Sequence, residues 1–225
     1  MSDGPVHPKA ATDPRGGRVP VGVLISGRGS NLAALLAACA KPDYPASVAV
    51  VLSNNKEAGG LARAREAGVA TEVVDHREYP TRHEHERALV EILRRHGVEW
   101  VCLAGYQHLL RGAMLEHYRN RILNVHPALL PAFPGNHAQR QAVEYGARVS
   151  GCTVHFVDEG VDTGPIILQA SVTVEPHDTE ETLSERILRE EHRLYPEVLR
   201  LAASGRLVIE KRKVRIVPET GRPDR

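Results

Sequence analysis

At 225 residues the chain is long enough to bury a substantial core, and it suits one medium domain or a larger one with tails. Its formal net charge of +1 excludes a bulk electrostatic pull toward nucleic acid or a membrane surface, and no apolar run reaches the roughly 18 residues of a membrane-spanning helix. Its 3 cysteines, Cys39, Cys102 and Cys152, are widely spaced, which fits free thiols in a reducing cytoplasm better than a disulfide framework or a zinc site.

Residues 1–18 are rich in proline, glycine and charge and lack an apolar centre, so they read as a disordered tail and not a signal peptide. Residues 21–26 form the continuous apolar run of a strand buried on both faces. Asn31 is placed to cap a helix that carries Leu32, Leu35, Leu36 and Cys39 on one side. A second strand follows at 47–53, then a helix at 60–67 ended by Gly68. Residues 81–96 predict a longer amphipathic helix with Leu89, Ile92 and Leu93 facing inward. Strands are expected at 98–104 and 121–125, and a helix at 137–145 ended by Gly146. Residues 149–156 and 166–174 read as strands of an antiparallel or mixed portion. A long helix at 179–204 contains Pro196, which should kink it or break it in two. Residues 211–225 are a tail, or add an edge strand at 214–217. The alternation predicts an α/β fold: one domain, 19–210, with a mostly parallel, twisted sheet of about seven strands and helices on both faces.

Two motifs carry chemistry. Gly27-Arg28-Gly29-Ser30-Asn31 joins the first strand to the first helix, where glycines allow close backbone approach and a helix N-terminus offers N–H groups to an anion. Dinucleotide binding would want a third glycine and an acid after the second strand, but Leu32 and Ser53-Asn54-Asn55 stand there, and no Walker lysine is present. A single phosphate suits the loop; the plain alternative is a tight turn with a helix cap. The second motif is Asn124-Val125-His126-Pro127 with Asp162-Thr163-Gly164-Pro165. Taken singly, these residues read as a turn amide, a packed histidine and a loop carboxylate. Together they suit acyl transfer, because an amide can stabilise an oxyanion, an imidazole can move a proton and a carboxylate can orient it. The remaining histidines show no ligand spacing such as His-Glu-x-x-His, so no metal is expected.

Asn124-Val125-His126-Pro127, Leu129-Leu130-Pro131 and Phe133-Pro134-Gly135, with residues 24–31 and Val154-His155-Phe156-Val157-Asp158, resemble the formyltetrahydrofolate-dependent formyltransferases. Within them the phosphoribosylglycinamide formyltransferases are the nearest branch, and the likeness runs from about 21 to 207 with the motifs in the family's order. The resemblance implies a Rossmann-like fold. It implies direct transfer of a formyl group from 10-formyltetrahydrofolate to the amine of 5-phosphoribosylglycinamide, a step of de novo purine biosynthesis, through a tetrahedral intermediate and without an acyl-enzyme. It places Asn124 and His126 at the oxyanion, Asp162 paired with His126 in proton transfer, and His155 in support. That carboxylate is expected to raise the pKa of His126. Gly29, Ser30 and Asn31 would hold the phosphate and Glu191 the ribose. Gln107, His108, Leu109 and Leu110 would line the pterin slot, with Arg82 near the glutamate tail.

The chain departs from the family at Gln107 and His108, where Met and Arg are usual, at Ala128 and Ala132, where Ser and Lys are frequent, and at Leu188, often Gln. The expected partners are the two small-molecule substrates, with no nucleic acid or membrane, for a cytoplasmic monomer or homodimer. Rivals are formyltetrahydrofolate deformylase, methionyl-tRNA formyltransferase, a non-catalytic nucleotide-binding module and a hydride-transfer enzyme. The first two carry an extra domain before or after the catalytic one, and only residues 1–18 precede the domain here. A mere binder has no use for the full trio. Hydride transfer lacks its ribose-binding acid.

Overall fold

Strand β1 (Val19–Ile25) sends Val21, Val23 and Ile25 to one face of the sheet and Leu24 to the other, and all four are fully buried. Strand β4 (Trp100–Leu103) does the same, with Trp100 and Cys102 on the first face and Val101 and Leu103 on the second. An unbroken apolar run is what a strand covered on both sides requires. Gly22 belongs to this logic: a side chain there would run into Leu93 and Val98, so the glycine lets a helix seat closely on the sheet.

The structure, a computed structural model, describes Val6 and residues 17–218. After β1 come α1 (Ser30–Cys39), β2 (Ala46–Ser53), α2 (Gly59–Glu66), β3 (Ala70–Val73), α3 (Arg82–Arg95), β4 and α4 (Gly112–His117). Then follow β5 (Ile122–His126), α5 (Ala138–Tyr145), β6 (Val149–Phe156), β7 (Ile166–Thr173), α6 (Glu180–Ala203), β8 (Leu207–Glu210) and β9 (Lys213–Ile216). Among the described residues the strands form one sheet in the order β3-β2-β1-β4-β5-β6-β7-β9-β8. The half from β3 to β5 is parallel, and β6 pairs antiparallel with both β5 and β7. Helices α1, α2, α5 and α6 bury their apolar sides on one face, and α3 and α4 on the other. No helix of the described residues is long and apolar enough to cross a membrane.

The single-domain, mostly parallel sheet with helices on both faces is the architecture expected, with nine strands in place of about seven. The additions are β3 and β8, each of 4 residues. Strand β9 is not an edge strand: it lies between β7 and β8, because Ile166 pairs with Lys213 while β8 folds back on its other side. The boundary expected after residue 210 therefore falls inside a β-hairpin. Of the presumed N-terminal tail, Val6 exchanges two 2.9 Å backbone hydrogen bonds with Ile209, and residues 1–5 and 7–16 lie outside the described residues, as do 219–225.

Two local expectations are corrected. Asn31 does not cap α1; Gly29, at φ 73°, turns the chain into the helix, and the Asn31 amide instead donates to Glu191 at 2.7 Å. Pro196 does not break α6, which runs as one helix of 24 residues. Packing on both sides of the proline holds it: Leu194, Tyr195, Val198 and Leu199 are buried, and the Tyr195 hydroxyl lies 2.9 Å from the Leu123 carbonyl oxygen and 3.1 Å from that of Leu103. Replacing Tyr195 with Phe keeps the packing and removes this anchor. The variant is expected to lose about 0.5–1.5 kcal/mol of stability, the usual net worth of a hydrogen bond, read from its denaturant midpoint.

Candidate active site

The C-terminal ends of β1, β4 and β5 lie side by side, because these strands are parallel neighbours. The chain leaves β1 for α1 on one face and β4 for α4 on the other, so the strand order reverses there and opens a crevice. The two exits are joined: the backbone N–H of Gln107, after β4, donates to the Ser26 hydroxyl, after β1, at 2.9 Å.

Asn124 and His126 stand on β5, and the antiparallel register sets His155 of β6 directly opposite Asn124. The loop between β6 and β7 returns Asp162 to this point. One carboxylate oxygen of Asp162 accepts from the Gly135 backbone N–H at 2.8 Å and lies 3.2 Å from His126 Nδ1. The other lies 3.4 Å from Asn124 Nδ2 and 3.6 Å from His155 Nε2. Asn124 Nδ2 is also 3.2 Å from His155 Nε2. Sequence positions separated by as much as 38 residues thus meet around one carboxylate.

The other ring nitrogens fix the tautomers. His126 Nε2 is 2.8 Å from the Phe133 carbonyl oxygen, and His155 Nδ1 is 2.7 Å from that of Phe156. A carbonyl only accepts, so these nitrogens carry the protons. A neutral His126 then turns a lone pair toward the Asp162 carboxylate, and the 3.2 Å gap between them has room for one proton. Burial lowers the pKa of His126 and outweighs the pull of Asp162 and of the Phe133 carbonyl. This reverses the expected upward shift: His126 is almost wholly buried, and desolvating an imidazolium costs more than one carboxylate returns. For Asp162, burial pushes the pKa up, but His155, the Gly135 N–H and His126 together pull it below the usual carboxylate value.

The cluster opens into a cavity of about 450 Å³ that is also lined by Gln107, His108, Leu109 and Leu110. Arg82 does not reach it. Arg82 lines an adjoining cavity of about 320 Å³, which shares His108, Leu109 and Leu110 as a common wall. There the His108 ring lies 4.0 Å from that of His76, and burial together with the charges of His76, His85 and Arg82 lowers the His108 pKa.

The glycine loop lies at the end of β1, on the far side of β4 from β5. No side chain caps α1, so its first N–H groups are open to an anion. Gly29 packs against Gly60 so closely that a side chain would strike the Gly60 backbone. Asn31 and Glu191 are bonded to each other, and burial raises the pKa of Glu191 against the effect of that bond. Ala128 is fully buried, whereas Ala132 is exposed and Leu188 partly buried.

Three supporting residues escaped sequence reading. Gly164 is obligatory, since a Cβ would overlap the Phe156 carbonyl, and its place in Asp-Thr-Gly-Pro was the available signal. Ser26 joins the two strand exits. Glu86, buried in α3, accepts from the N–H groups of Arg111 at 2.7 Å and Met114 at 3.3 Å and so caps α4 beneath the 107–110 wall. A lone Glu in an amphipathic helix gives no sign of that task.

Residues 20–199 match the model of a family described as formyl transferase. The chain is similar to the crystal structure of glycinamide ribonucleotide transformylase 1 from Symbiobacterium toebii, with 58% identity and a TM-score of 0.88 over 89% of this chain and 95% of that one. It is 43% identical over 185 residues to phosphoribosylglycinamide formyltransferase of Escherichia coli (strain K12), which covers 82% of this chain and 87% of that protein. It is 47% identical over 188 residues to the trifunctional purine biosynthetic protein adenosine-3 of Gallus gallus. That match covers 84% of this chain and only 19% of the larger protein's length.

The proton gap between His126 and Asp162 has a spectroscopic consequence. The imidazole of His126 is expected to titrate below its reference pKa of about 6.5, and lower still in Asp162→Asn, where the attraction of the carboxylate for the cation is lost. Because the folded state holds this proton less tightly than the unfolded chain, His126 subtracts stability as pH falls below about 6.5. Histidine ring resonances followed against pH in both proteins check the order of the two values.

Proposed function

The chain belongs to the formyl transferase family, and we propose that it transfers the formyl group of 10-formyltetrahydrofolate to the amine of 5-phosphoribosylglycinamide. The observation that carries this reading is the Asp162 carboxylate held among His126, His155 and Asn124 at the wall of the 450 Å³ cavity. The names of the relatives supply the formyl transfer and its ribonucleotide acceptor, the family resemblance supplies the folate donor, and the site supplies groups matched to each step.

The amine nitrogen attacks the formyl carbon, and the carbonyl oxygen gains negative charge. The bond from that carbon to the folate nitrogen then breaks, and a proton passes from the amine to the leaving nitrogen. Asn124 serves the developing oxyanion: its amide protons are held by contacts of 3.2 and 3.4 Å, which a full negative charge displaces. The gap between His126 and Asp162 takes the amine's proton and returns it to the folate nitrogen, through water. His126 is better suited to this than to direct donation at the oxyanion, since both its nitrogens already have protein partners. His155 keeps Asn124 and Asp162 in register. No side-chain nucleophile takes part. The cysteines are buried, which raises their pKa values, Cys39 to about 11 and Cys152 to about 12.

Gly29, Ser30 and Asn31 at the start of α1 take the ribonucleotide phosphate, and Glu191, fixed by Asn31, takes the ribose. The 107–110 wall takes the pterin, and the neighbouring groove takes the anionic tail of the folate. In that groove Arg82 is the cation offered to the tail, because burial and the neighbouring charges of His76, His85 and Arg82 lower the His108 pKa and disfavour a charged His108. The partners are these two small molecules.

The purified protein should convert 10-formyltetrahydrofolate to tetrahydrofolate only when 5-phosphoribosylglycinamide is present, measured by the folate absorbance change. Equal rates with and without the ribonucleotide would make it a hydrolase of the same donor.

A further inference from the structure

We infer that Arg212, in the turn between β8 and β9, is a positioning residue that holds the Asp162 loop in its reactive geometry. This rests on the formyl-transfer reading of the same site. Asp162 sits at φ 53°, in the left-handed region that residues other than glycine seldom occupy, so its loop needs external support. Inside the loop, Asp158 accepts from the Gly160 N–H at 3.1 Å and from the Thr163 hydroxyl at 2.5 Å, and Gly164 is wedged against Phe156. On the other side lies a cavity of about 550 Å³ walled by Leu130, Pro131, Pro134 and Arg212. The Arg212 guanidinium reaches across it and donates to the Thr163 carbonyl oxygen at 2.7 Å. That bond fixes the Thr163–Gly164 peptide, one residue beyond Asp162, from a residue 49 positions away.

The placement follows from the sheet. Strand β9 pairs with β7 at Ile166↔Lys213, so the turn before β9 is carried alongside the loop that precedes β7. Lys211, at φ 57°, makes the turn, and Arg212 follows it. The hairpin lies beyond residue 199, where the segment matched by the family model ends. When the brace is lost, Asp162 drifts from His155 and the Gly135 N–H, the contacts that offset its burial, and more of it is protonated at a given pH.

Steady-state kinetics of Arg212→Ala, Arg212→Lys and Arg206→Ala test this. Arg206 bonds the Val217 carbonyl at 2.8 Å and so holds the hairpin's opposite end. Arg212→Ala should lower kcat about tenfold, less than the roughly 10²-fold that a full ångström of misplacement can cost. KM for the ribonucleotide should be unchanged, and the acid limb of the kcat profile should move to higher pH. Arg212→Lys should recover most of the loss, and Arg206→Ala should match the parent. The Gly135 amide, bonded to Asp162, should exchange with solvent faster in Arg212→Ala. Parent-like kcat, pH profile and exchange in Arg212→Ala would overturn the inference. So would equal losses in Arg212→Ala and Arg206→Ala without recovery by Lys, which would mark a general loosening of the hairpin. An inactive parent would sink the formyl-transfer reading alone, since the exchange of Gly135 still tests the brace.

Discussion

A carboxylate taken out of water must be satisfied on all sides or it takes up a proton. Asp162 meets that demand with groups from three separate pieces of chain: the end of β5, the facing residue of β6 and the turn at Gly135. Each partner is committed in turn, and the commitments shape the surrounding backbone. Phe133, Gly135 and His137 all adopt positive φ, which lets the loop after β5 offer the Phe133 carbonyl to His126 and the Gly135 N–H to Asp162. The strain of that loop and the charge of Asp162 support each other. Removing the charge leaves an N–H and an imidazole facing each other's vacancy, and relaxing the loop leaves the charge unsolvated.

The same arrangement decides the chemistry. Backbone carbonyls hold one proton on each histidine, on the side away from Asp162. In a neutral His126 the inner nitrogen then turns its lone pair toward the carboxylate. Burial disfavours an imidazolium at His126, while the surrounding donors favour an ionised Asp162. The resting pair is therefore ready to accept a proton, and the charge produced by acceptance forms next to its own counter-charge. A group of this kind suits a reaction that borrows one proton and returns it.

Much of this was legible before the structure. The unbroken apolar runs of β1 and β4 declare strands covered on both faces, and the amphipathic period of residues 81–96 declares α3. Asn124, His126 and Asp162 stood out because polar groups at the ends of apolar strands in an α/β chain fall at the crevice. What was hidden depended on contacts distant in sequence. The Asn31 side chain fits a cap by type, but its partner Glu191 is 160 residues away. Pro196 breaks helices by local rules, and the buried Tyr195 anchor overrides them. The sign of the His126 shift turned on how deeply the ring is buried, which no motif encodes. The role of Arg212 needed the β7–β9 pairing, which is read from three dimensions alone.

The central claim is that Asp162 handles the proton of formyl transfer and does not merely hold the fold or bind the ribonucleotide. Single-turnover kinetics of Asp162→Asn, with ribonucleotide affinity measured by calorimetry on the same preparation, address it most directly. The account predicts a loss on the order of 10²-fold or more in the chemical step with little change in ribonucleotide Kd, as removal of an acid–base partner entails. A chemical step within a few-fold of the parent would contradict it.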